Sequence, residues 1–154
     1  MMRRSSLCLL LLLSAVCGQL CADSSQTLGD WDSVTVPAVK TSIYVGSVTL
    51  VTGVFQRSGD VFNTTYEAKV WPWFFWSESG RISITLPPAE LLRLSRGERV
   101  EFKGEAFNHK NKPRHVTGHA DRVDAATGKI KVRIGVDDTE IIFNGTYRFN
   151  NVVK

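Results

Sequence analysis

From Val34 to Phe149 apolar and polar residues alternate with a period of two, and clusters of Gly, Asn, Asp, Ser and Pro interrupt the alternation. The runs are rich in Val, Ile, Thr, Phe and Tyr, the composition of strands with one face buried. The last third is the clearest. Val100, Phe102, Gly104 and Ala106 alternate with Glu101, Lys103 and Glu105, and His109 to Pro113 then forms a polar turn. Val116, Gly118 and Ala120 alternate with His115, Thr117, His119 and Asp121; after Asp124 to Gly128, Ile130, Val132, Ile134 and Val136 alternate with Lys129, Lys131 and Arg133. Strands are expected near 98–107, 114–123, 129–136 and 139–149, as an antiparallel meander.

Parity tests the final hairpin, because paired residues share a face. A two-residue turn at Asp137-Asp138 sets Ile134 opposite Ile141, Val132 opposite Phe143 and Ile130 opposite Gly145, so the apolar sets coincide; a four-residue loop would keep that parity. Upstream, the run from Pro87 to Leu94 has proline where a first helical turn tolerates it, and Gly97 follows as a terminator, which predicts one helix of two turns at most. Before it, strands are expected near 42–55, 61–76 and 81–86, with turns at Arg57–Asp60 and Ser77–Gly80. The fold class is therefore all-β, a small antiparallel barrel or two-sheet sandwich of about seven to eight strands with one short helix. The order of strands and helix is similar to that of lipocalin-like binding domains, a likeness of fold that no signature motif carries.

Small residues stand at Gly104/Ala106 and Gly118/Ala120 on adjacent strands. Bulky groups from elsewhere, or a ligand, must fill the space above them.

Arg3 and Arg4 precede an apolar run from Leu7 to Val16, and small residues follow near Gly18 and Ala22. That order is the pattern of a secretory signal peptide. The run is about half of the ~20 residues needed to cross a bilayer, so a membrane span is not expected. The expected organisation is a cleaved signal at 1–22, an N-terminal extension at 23–41 and a single antiparallel β domain at 42–154, in an exported protein that is periplasmic or secreted. Cys8, Cys17 and Cys21 all fall in this segment, so cleavage after Ala22, rather than after Gly18, would leave a mature chain with neither disulfides nor a catalytic thiol. Loss of Arg3 and Arg4 takes 19 basic residues to 17 against 15 acidic ones. That charge is too mild to demand a polyanionic partner.

Val70 to Trp76 reads Val-Trp-Pro-Trp-Phe-Phe-Trp, with three of the four tryptophans of the chain. Up to Lys69 one face of this strand is polar; beyond it both are apolar, and a bulge near Trp71-Pro72 would reconcile the phases. On the plainer reading these rings are the core of a disulfide-free domain. On the functional one Trp71, Trp73, Phe74, Phe75 and Trp76 bind a ligand: an enclosed pocket would mean a hydrophobic small molecule or lipid, a flat exposed patch an apolar protein segment.

The hairpin tip with Lys110, Lys112 and Arg114, beside His109 and His115, is a weak candidate for contact with phosphate, sulfate or lipid head groups. It lacks the aromatic platforms of nucleic-acid binders, so no specific nucleic acid is expected. His115 and His119 share a face about 13 Å apart, too far for one ion. His119 and Asp121 alone are at chelating spacing; the face is better explained by cross-strand pairing with Glu101 or Glu105, and neither metal nor cofactor is expected.

The chain has no Gly-rich phosphate loop, Gly-x-Ser-x-Gly elbow or His-Glu-x-x-His helix. The Asp137-Asp138 pair is explained by its turn. Binding is favoured over catalysis: an exported β-domain that binds a hydrophobic small molecule, lipid or apolar segment near the Trp71–Trp76 strand, with an envelope or secreted protein–protein interaction module as the alternative and an enzyme third.

Overall fold

In the computed structural model, which describes residues 31–150, the alternating segments become ten strands. They are β1 (Ser33–Thr35), β2 (Val39–Ile43), β3 (Gly46–Thr52), β4 (Phe55–Ser58), β5 (Val61–Trp71), β6 (Glu78–Thr85), β7 (Val100–Asn108), β8 (Pro113–Arg122), β9 (Thr127–Val136) and β10 (Thr139–Asn150). A helix, α1 (Pro88–Ser95), joins β6 to β7. The expected signal segment 1–22, with Cys8, Cys17 and Cys21, lies outside the described residues.

From β4 to β10 each strand pairs antiparallel with its neighbour in sequence, β3 pairs with β2 and β5, and β1 closes the ring by pairing with both β10 and β4. β1 and β2 form one interrupted stave, broken around Pro37, which has no N–H for a ladder. β3 and β4 form a second, since both pair with the same edge of β5. The result is a closed eight-stave barrel, not a sandwich, with the closure made where Ser33–Thr35 of β1 pairs with β10.

The meander has the expected register. Ile141 faces Ile134, Phe143 faces Val132, and Gly145 faces Ile130 around the two-residue Asp137-Asp138 turn. Asp137 takes the left-handed conformation (φ 51°) that such a turn requires. The helix too lies where Pro88 and Gly97 put it, with Gly97 at φ 88°.

The N-terminal third departs from expectation. The segment 42–55 is not one strand: a hairpin turns at Tyr44-Val45, and β3 and β4 are separated at Gly53-Val54. The barrel also reaches into the stretch expected as an extension, because β1 and most of β2 precede residue 42. The strand expected over 61–76 stops at Trp71, where Pro72 cannot continue the ladder, so there is no bulge carrying it onward. β6 accordingly begins at Glu78, inside the segment read as a turn.

Inward positions build the core. Leu91 and Leu94 of α1, Val100 and Val116 are all but inaccessible, and Phe62, Ile82, Phe102 and Phe143 pack around them. Trp31 stacks on Phe149 at 4.0 Å, sealing the end of the barrel that α1 occupies. The space over the small residues is filled from within: a Cβ on Gly118 would stand 2.5 Å from the Phe102 ring, and one on Gly104 would stand 2.7 Å from Cδ1 of Ile84. An apolar cavity of about 80 Å³ remains, bounded by Phe55, Phe62, Leu94, Val132 and Tyr147 among others.

Candidate functional site at the open end of the barrel

Four connections surround the end of the barrel opposite α1: the Tyr44-Val45 turn, the segment 72–77, the tip 109–112 and the Asp137-Asp138 turn. The segment 72–77 is compact because its backbone bonds are made locally. Phe74–Trp76 forms a single 3-10 turn, Trp76 N–H donates to Trp73 O (2.9 Å), and Ser77 N–H donates to Phe74 O (3.0 Å). At its base Val70 N–H donates to Ser77 Oγ (3.0 Å).

With the main chain so occupied, the side chains point outward. Trp71 is 70% exposed, Trp73 41%, Phe74 74%, Phe75 63% and Trp76 55%. The rings are therefore not the core. They pack on one another instead, Trp73, Phe74, Phe75 and Trp76 having centroids 5.5–6.1 Å apart. Trp73 Nε1–H donates to the carbonyl of Val45 (3.1 Å), which ties in the neighbouring turn, where Tyr44 is fully exposed. An exposed aromatic cluster of this size is unusual on a folded domain, where large apolar patches mark binding surfaces.

Phe75 and Trp76 also edge an open cleft of about 720 Å³ that enters the barrel mouth. Its apolar wall includes Ile43, Val48, Val70 and Ile141. The cleft has the volume of a small-molecule site, whereas the inner cavity is several-fold too small to hold one as it stands.

Beneath the cleft lies a polar cluster. The Glu78 carboxylate accepts from Tyr66 Oη (2.9 Å) and Arg114 Nε (3.3 Å) on one oxygen, and from Arg114 Nη2 (3.0 Å) and Asn108 Nδ2 (3.1 Å) on the other. Four donors nearly saturate its acceptor sites. Burial alone would raise its pKa, but the bonds from Arg114, Asn108 and Tyr66 outweigh burial and hold the carboxyl below the usual range. For Tyr66, burial and then the bond to Glu78 push the phenol well above its ordinary value. Arg114 Nη1 also reaches Asp137 Oδ1 (3.2 Å) on the turn above.

Arg114 corrects the reading of the basic tip. Its side chain is only 8% exposed and points into the barrel, in phase with Val116, so it is no surface contact for a polyanion. Lys110 and Lys112 do stand exposed, on a tip held by Asn108, whose Oδ1 accepts from both their backbone N–H groups (2.9 Å each). Asp137 and Asp138 occupy the adjacent tip. Tyr44 and Glu78 escaped the sequence reading; for Glu78 the signal was its parity with Gly80 and Ile82.

The histidines pair as the alternation requires, Glu101 with His119 and Glu105 with His115. Asp121 is gripped by Arg99 at 2.7 and 3.1 Å, and His119 Nε2 lies 3.9 Å from it. Among the described residues, no helix is long and apolar enough to cross a membrane. No protein-family model, curated protein or solved structure matches the chain.

Proposed function

We propose that the chain is an exported β-barrel binding protein whose recognition element is the aromatic turn Trp71–Trp76, and whose ligand is a hydrophobic small molecule, a lipid or an apolar segment. The observation that carries this is the exposure of five rings within six residues, beside a cleft large enough to take the end of an apolar ligand. Export to the periplasm or the medium rests on the Arg3-Arg4 pair and the Leu7–Val16 run. A non-enzymatic protein–protein interaction module is the second reading, favoured by the outward projection of the rings.

Tryptophan emission titrated with a fatty acid kept below its micelle concentration tests the ligand reading. A saturable blue shift, lost in Trp73→Ala with the circular dichroism unchanged, is the expected result. A flat titration would leave the interaction-module reading in its place.

A further inference from the structure

We propose that the open end of the barrel docks on the headgroup zone of a zwitterionic lipid bilayer, with the aromatic turn and Tyr44 as its wedge; this rests on reading Trp71–Trp76 as the recognition element. Three observations single out a bilayer. The first is the kind of residue exposed: Trp, Phe and Tyr, the side chains that concentrate where membrane meets water, with Val45 the one aliphatic group at these two turns. The second is placement, since the rings project from two adjacent turns joined by the Trp73–Val45 hydrogen bond and so stand together at one end of the molecule.

The third is charge. The charged side chains lining the cleft are Lys110, Lys112 and Arg114 against Glu78, Asp137 and Asp138, so their formal charges cancel. Arg114 is already matched by Glu78 and Asp137, while Lys110 and Lys112 on one tip and Asp138 on the other stand exposed around the same cleft. Cations and carboxylates side by side around an apolar wedge complement a layer of headgroups that each carry both signs. At the cleft an anionic surface would meet no net attraction.

The test is cosedimentation of the full mature chain with phosphatidylcholine vesicles, alongside tryptophan emission. The protein should bind, with a blue shift. The partition coefficient should fall at least about tenfold in the double variant Phe74→Ser/Phe75→Ser, as expected when two rings no longer leave water. Tyr44→Ser, on the other turn, should lower it by about threefold. Replacing a fifth of the lipid by an anionic one, or raising salt from about 0.05 to 0.5 M, should change binding less than about threefold.

Absence of vesicle binding overturns the inference, as does binding that survives in the double variant or that requires anionic lipid and vanishes in salt. A concentration-dependent dimer in sedimentation velocity, abolished by the same variant, also overturns it, by assigning the turn to a second copy of the chain. Saturable binding of the soluble fatty acid without vesicle binding would remove the bilayer and leave the proposed ligand-binding role standing.

Discussion

Replacing Arg114 by leucine should destabilise the barrel by about 3 kcal/mol at neutral pH, because it strands the Glu78 carboxylate. The two side chains are 8% and 16% exposed, so this is a buried pair rather than a surface ion pair. Removing one partner of such a pair costs about 3–5 kcal/mol, most of it the cost of the charge left behind. The low end applies here, since Tyr66 and Asn108 still donate to Glu78. Glu78→Leu should cost at least as much: Arg114 would keep Asp137, but that residue is 74% exposed and holds it weakly, and Tyr66 and Asn108 would both lose their acceptor. In Glu78→Leu/Arg114→Leu neither charge is left alone, so the double variant should lose about 2–3 kcal/mol less than the sum of the singles. Urea unfolding followed by tryptophan emission gives each value by linear extrapolation. The pH dependence adds a sign. In the wild type the Glu78 carboxyl lies below its unfolded-state value, so its contribution is complete above about pH 4.3 and is lost as pH falls through the folded value. In Arg114→Leu burial loses its strongest opponent and the carboxyl moves up, so the deficit should shrink between pH 7 and about pH 4.5 as Glu78 takes a proton. A deficit under about 1 kcal/mol at pH 7, singles that simply add, or a deficit that ignores pH would each refute the proposed role of the cluster.

Val132→Asp should unfold the domain, since Val132 faces inward opposite Phe143 and lines an apolar cavity; an unchanged melting temperature would show that the facing is wrong. Gly118→Val should destabilise by roughly 2 kcal/mol despite the strand propensity of valine, because the Phe102 ring occupies the space, and any gain in thermal stability would contradict that contact. Burial, with the carboxylates of Asp121 and Asp124 adding to it, raises the Tyr147 phenol to about 12. Its contribution to stability is complete below the unfolded-state value near 10 and is lost as pH rises through the folded one, so ultraviolet titration of wild type against Tyr147→Phe should show one late phenol missing. Phe74→Ser should leave thermal stability within about 0.5 kcal/mol of wild type; a larger loss would mean that the ring is not solvent-facing.

Legibility followed the strength of the alternation. In the meander the inward apolar residues coincide across strands, so Ile134, Val132 and Ile130 could be assigned their partners from the sequence alone. The N-terminal third offered less. Ser42-Ile43-Tyr44-Val45-Gly46 looks continuous because the turn residues Tyr44 and Val45 are themselves strand formers, and Gly46 was the single mark of a break. The short β1 has only three residues, too few for a period to show.

Composition alone could not place the aromatic turn, because seven apolar residues in a row satisfy a buried strand as well as an exposed loop. The deciding facts were structural: Pro72 stops the ladder, the following residues satisfy their own backbone in a 3-10 turn, and β6 restarts at Glu78, so the rings have no sheet behind them to bury into. The polar floor, by contrast, was written in parity. Glu78 is in phase with Ile82, Asn108 with Ala106 and Arg114 with Val116, three polar residues that the barrel interior must receive together. A buried charge at one such position would be untenable; at three converging positions it becomes a closed network, with Tyr66 supplying the last donor. The barrel thus ends in a polar layer under an apolar rim. The chain commits stability to a fully satisfied cluster beneath the mouth and leaves its largest rings in water above it. Neither arrangement is needed to close a β-barrel, and it is on the two, placed one over the other, that the proposed binding role of this end rests.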